Sequence, residues 1–108
     1  MEFKEVASLK ALEKEFKIRI VLDNNPILLT YFDRKVYAIS DKCPHMGASL
    51  EKGHLEDGIV TCAKHGAQIN VTNGNIEEKA KVLFLKLPTK NAKTYEVKVE
   101  EDKVYVKL

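Results

Sequence analysis

The chain has 108 residues, close to the usual size of one domain, so a single core is expected, with no room for a separate catalytic domain. A hydrophobic fraction of 44% and a charged fraction of 31% are those of an ordinary soluble globular protein, and no stretch approaches the ~20 apolar residues of a membrane span. Its 18 basic and 16 acidic residues are scattered along the chain and leave a formal charge of +2, so no block of one sign points to nucleic acid or a membrane surface. Residues 1–6 carry early acidic side chains and no apolar signal core, and the expected location is cytoplasmic.

In chain order, Ser8 is a candidate N-cap for a short helix over residues 9–14, with Leu9 and Leu12 facing inward. A strand is expected over residues 16–22, with Phe16, Ile18, Ile20 and Leu22 on one face. The turn Asp23-Asn24-Asn25-Pro26 separates it from a strand over 27–32, and Asp33-Arg34 links that strand to another over 35–40, making a three-stranded meander. Residues 41–81 change character, with Gly47, Gly53, Gly58 and Gly66 falling within 20 residues and Gly74 soon after. Loops are expected to dominate there, broken by short strands near 59–61 and 67–71 and by an Asn73-Gly74 turn. Strand patterning resumes over 82–87, 95–100 and 103–108, the last two joined by a tight Glu101-Asp102 turn. The chain reads as an all-β single domain: residues 1–40 and 82–108 form a scaffold, and 41–81 form an insertion of loops and short strands.

The insertion carries the chemistry. Cys43-Pro44-His45 is followed, after 16 residues, by Cys62-Ala63-Lys64-His65. Two thiolates and two imidazoles from two loops make a four-ligand site of soft and borderline donors. Zinc accepts that donor set, although its structural sites usually take close ligand pairs two or more residues apart, which the Cys-x-His step does not match. A cluster of two irons asks something else, because each loop then sends its cysteine to one iron and its histidine to the other. No cysteine is left over beyond the two, and a single disulfide would leave the matched histidines unexplained.

The text Cys43-Pro44-His45-Met46-Gly47-Ala48-Ser49-Leu50, then residues 58–68 with Cys62 and His65, then Asn73-Gly74, resembles the Rieske family, in particular its small soluble ferredoxins. The resemblance extends to the strand before Cys43 and to the terminal hairpin. It implies a Rieske-like antiparallel β-sandwich with an inserted cluster-binding subdomain. It also implies a [2Fe–2S] cluster, with Cys43 and Cys62 on one iron and His45 and His65 on the other, nearer the surface. The implied function is one-electron transfer rather than catalysis, between redox protein partners: a reductase and an oxygenase or other terminal enzyme. Alternatives are a Rieske-like small subunit of a larger reductase, such as assimilatory nitrite reductase, and a zinc-stabilised interaction module.

High-potential relatives carry an extra cysteine in each loop and hydroxyl donors after the second ligand pair. This chain has Ala48 and Lys64 at the first two positions and Ala67 and Ile69 at the others, so the low end of the Rieske range of roughly −150 to +300 mV is expected. Ala63 and Ile69 depart from the family's usual proline and aromatic. Gly47 and Gly66, each close after a histidine ligand, are read as leaving room for the cluster. His54 is read as a solvent-facing loop residue, and Leu50 and Leu55 as core beneath the loops.

Overall fold

The computed structural model describes residues 2–42, 49–63, 66–78, 81–82, 85–86 and 91–108. The first strand, β1 (Phe3–Ser8), leads into helix α1 (Leu9–Glu15). The Ser8 hydroxyl caps the helix by accepting from the Ala11 N–H at 3.1 Å, and Leu12 is its buried residue. A meander follows: β2 (Lys17–Leu22), β3 (Asn25–Phe32) and β4 (Lys35–Ser40). A 3₁₀ turn at Leu50–Lys52 precedes β5 (His54–Glu56), β6 (Ile59–Thr61), β7 (Gln68–Asn70) and β8 (Ile76–Glu78). The short pair β9 (Lys81–Val82) and β10 (Leu85–Lys86) comes next, and β11 (Thr94–Glu100) and β12 (Lys103–Lys107) end the chain.

The strands form a six-stranded antiparallel sheet in the order β1-β12-β11-β4-β3-β2 and a four-stranded sheet β5-β6-β7-β8. Four two-residue turns, Asp23-Asn24, Asp33-Arg34, Asp57-Gly58 and Glu101-Asp102, take both residues into the left-handed region. That geometry matches the right-handed twist of the strands that they join. Strand β3 is the centre of the molecule, because Ile27, Leu28, Leu29 and Thr30 are all buried. Side chains alternate across a strand, so β3 serves two cores. Ile27 and Leu29 join Leu12, Ala38, Val104 and Val106 on one face, while Leu28 and Ile39 join Leu50, Val60, Cys62, Ala67, Ile69 and Val71 on the other. The second core binds the insertion to the larger sheet.

Two expectations are corrected and one strand is added. Phe16 is not a strand residue but the left-handed C-cap of α1, with φ 66°, its N–H donating to the Leu12 carbonyl, and its ring is 57% exposed. Asn25 and Pro26 belong to β3 rather than to the turn, with Pro26 opposite Val21 near the start of the strand, where a missing donor is tolerated. Finally, β1 was not legible: a register shift between Glu5 and Ala7, opposite β12, breaks the alternation that marks a strand. The strand expected over 82–87 is described in two short pieces, and residues 83, 84 and 87 lie outside the described residues. Among the described residues, no helix is long and apolar enough to cross a membrane.

Candidate metal centre

Of the four candidate ligands, the structure places Cys62; Cys43, His45 and His65 lie outside the described residues. Pro44, Met46, Gly47, Ala48 and Lys64 also lie outside them. The bases of both ligand-bearing loops are described, and they define the site.

The second loop starts where β6 ends. The Cys62 N–H donates to the Ala67 carbonyl at 2.8 Å, and the Gly66 N–H donates back to the Cys62 carbonyl at 3.0 Å, so Cys62, Gly66 and Ala67 close the base of this loop as a turn. Gly66 completes that turn at φ 72°, a conformation that costs any residue with a Cβ about 1–2 kcal/mol. No described atom lies within 4 Å of where a Cβ on Gly66 would stand. Cys62 is a free thiol, 1% exposed, packed with Leu50, Val60 and Ala67. A buried thiol at the base of this loop is a soft donor, which fits a metal group bound through sulfur.

The first loop is closed by other means. Lys42 and Ser49 form an isolated antiparallel bridge, and the Leu50 N–H donates to the Asp41 carbonyl at 2.7 Å. The Asp41 carboxylate, 1% exposed, accepts from Arg19 Nε at 2.9 Å, from the Glu51 N–H at 2.8 Å and from the Ser49 hydroxyl. Lys17, two residues before Arg19 on the same face of β2, donates its ammonium to the carbonyls of Gly53, at 2.6 Å, and Glu51. Leu50 then drops into the core that holds Cys62, so the two loops stand on one apolar floor.

Asp41, Arg19 and Lys17 were missed by sequence reasoning. The available signal was the Asp41 carboxylate two residues before a candidate ligand, but its charged donor Arg19 comes from a strand 22 positions away, and that pairing is invisible without the register. Leu50 is buried and Leu55 half-buried against the same core, as expected. His54 is exposed and pairs with Glu56 at 3.0 Å, clear of the floor. Ala67 and Ile69 are fully buried in the apolar core and bring no hydroxyl to the second loop.

Fold and site together define a β-rich domain in which the bases of two loops, one of them carrying the buried Cys62 thiol, stand on one apolar floor. The model of the Rieske [2Fe-2S] domain matches residues 2–86, and the chain belongs to that family. It is 35% identical over 102 residues to human apoptosis-inducing factor 3, covering 94% of this chain but spanning only 16% of that protein's length. It is also 35% identical over 81 residues to the 3-phenylpropionate/cinnamic acid dioxygenase ferredoxin subunit of Photorhabdus laumondii, covering 74% of this chain and 70% of that one. Among solved structures, it matches a chain in the complex of reduced oxygenase and oxidised ferredoxin of carbazole 1,9a-dioxygenase. That match has a TM-score of 0.80 and 27% identity, over 96% of this chain and 91% of the other.

Proposed function

We propose that the protein is a one-electron carrier holding a [2Fe–2S] cluster through Cys43, His45, Cys62 and His65, and that it passes electrons from a reductase to a terminal oxygenase. The observation that carries this reading is the pair of base-closed loops, one ending in the buried Cys62 thiol and both seated on the floor formed by Leu50, Val60 and Ala67. The named similarities to dioxygenase ferredoxin subunits favour the oxygenase as acceptor. In this reading residues 1–40 and 82–108 are scaffold, 41–81 hold the cluster, and the chain works in the cytoplasm, where its thiols stay reduced.

When bound, the cluster supplies reversible one-electron reduction. The protein supplies the rest. Cys62 would be presented as a ligand by two hydrogen bonds that fix its main chain, while packing with Leu50, Val60 and Ala67 confines its side chain. The floor excludes water from the cysteine side, and the exposed Gly66 edge faces outward, so electron exchange is expected at the histidine edge. With the side chains of Ala67 and Ile69 bringing no hydroxyl to donate to sulfur, the potential sits at the low end of the roughly −150 to +300 mV range.

The test is anaerobic purification followed by iron, zinc and acid-labile sulfide analysis and EPR after dithionite reduction. Iron and sulfide in equal amounts, with a rhombic signal, are expected, together with their loss in Cys62→Ser. Zinc without sulfide would overturn the reading.

A further inference from the structure

Asp41 does more than a loop-closing residue needs to do. Its main-chain N–H donates to the Pro26 carbonyl at 3.0 Å, its carbonyl accepts from Leu50, and its carboxylate accepts from Arg19, Ser49 and Glu51. One residue thus joins β2, β3 and the returning end of the first loop. Three donors thus converge on one buried carboxylate and fix its position. Its counter-ion is unequally placed: the Asp41 side chain is 1% exposed and that of Arg19 is 43% exposed. Water screens the arginine's charge far more than the aspartate's, so the pair acts on its surroundings as a net negative charge.

We propose that Asp41 is a positioning residue for the first ligand loop, and that its buried charge, offset by Arg19, tunes the reduction potential of the site. This rests on the cluster reading above. A single residue separates Asp41 from Cys43, so their Cα atoms lie no more than about 7.6 Å apart whatever path the chain takes. At that range, and in a partly desolvated setting, a fixed charge acts on any group that changes charge. Reduction adds an electron, which a neighbouring carboxylate opposes and a neighbouring guanidinium favours. The same carboxylate sets the span of the loop by tying Ser49 and Glu51 to the strand end that leads into Cys43.

The test compares Asp41→Asn, Arg19→Gln and Arg19→Lys with the wild type, by protein-film voltammetry and by EPR of the dithionite-reduced proteins. Asp41→Asn is expected to raise the potential and Arg19→Gln to lower it, with Arg19→Lys, which keeps the charge, close to wild type. A role confined to structure predicts otherwise: loosening the loop from either side would move the potential the same way or not at all. Shifts of the same sign, or none beyond reproducibility, overturn the proposal. If Asp41→Asn does not fold, the arginine pair decides: a lowered potential in Arg19→Gln restored in Arg19→Lys supports it, and no difference overturns it. The two readings fail separately, because a wild-type protein with cluster but no opposite shifts defeats only this one, whereas a wild type lacking sulfide defeats both.

Discussion

Replacing Gly53 by alanine tests whether the two ligand loops are spaced by backbone contact. Gly53 follows the 3₁₀ turn with φ −84° and ψ 178°, a conformation open to any residue, so its backbone angles give no reason for glycine. Space gives the reason: a Cβ there would lie 2.0 Å from the Thr61 carbonyl oxygen, 2.9 Å from its carbon and 3.2 Å from the Leu50 oxygen. These neighbours are backbone and cannot rotate away, so β5 and β6 must part by about 1 Å next to the His54–Thr61 pair. Overpacking of this kind costs about 1–3 kcal/mol, and weakening the adjoining backbone hydrogen bonds adds about 1 more. A total of about 3 kcal/mol lowers the Tm of a domain this size by roughly 10 °C or more. Thr61 precedes Cys62, so cluster retention should fall with it. Gly66→Ala is the control, since its cost is the left-handed backbone alone, about 1–2 kcal/mol. The assay is thermal melting by circular dichroism with iron content after gel filtration. A Gly53→Ala protein melting within about 3 °C of wild type would refute the close-contact argument.

Thr30→Val should stabilise the fold by about 1 kcal/mol, because the Thr30 hydroxyl is fully buried in β3 with no hydrogen-bond partner among the described residues, an arrangement that carries the desolvation cost of a polar group unrepaid. An unchanged or lowered urea midpoint would show that the hydroxyl has a role. Arg34→Gly, at φ 64° in the β3–β4 turn, should also raise that midpoint, by up to about 1 kcal/mol, as glycine removes the left-handed penalty at some cost in chain entropy. A lower midpoint would mean that the entropy term wins.

What could be read from the sequence followed from local rules. The meander was visible because β2 alternates and β3 and β4 are short apolar runs between turn residues, and the tight links Asp33-Arg34 and Glu101-Asp102 stand where two residues separate β-patterned runs. The candidate donor set was visible because two cysteines each followed closely by a histidine are rarely accidental, and the motif text carried the family. What stayed hidden depends on distance along the chain. The face of β2 bearing Lys17 and Arg19 reads as a solvated edge, yet these two cations reach across to residues 41, 51 and 53. Phe16 fits a strand pattern by hydropathy, and only the helix C-cap, which draws it into the left-handed region, takes it out of the strand.

The division of the interior into two cores makes iron removal informative. Among the described residues, the core around Leu12, Ile27, Leu29, Val104 and Val106 draws no buried residue from 41–81, whereas the other takes only Leu28 and Ile39 of its buried residues from the larger sheet. Extracting iron therefore withdraws support from the second core alone. The larger sheet keeps its own apolar burial, worth about 1.5–3 kcal/mol for each fully buried Leu, Ile or Val, and holds β3 and β12 in place. After anaerobic chelation, amide hydrogens of β3, β4 and β12 should keep their protection while those of β6 and β7 exchange faster, the mark of sub-global rather than whole-molecule opening. Uniform loss of protection across both sheets would mean that β3, buried on both faces, couples the cores too tightly for either to stand alone. Restoring iron and sulfide should then return protection to β6 and β7 in step with the visible absorbance, because the turn that carries Cys62 is the same turn that ties those strands together.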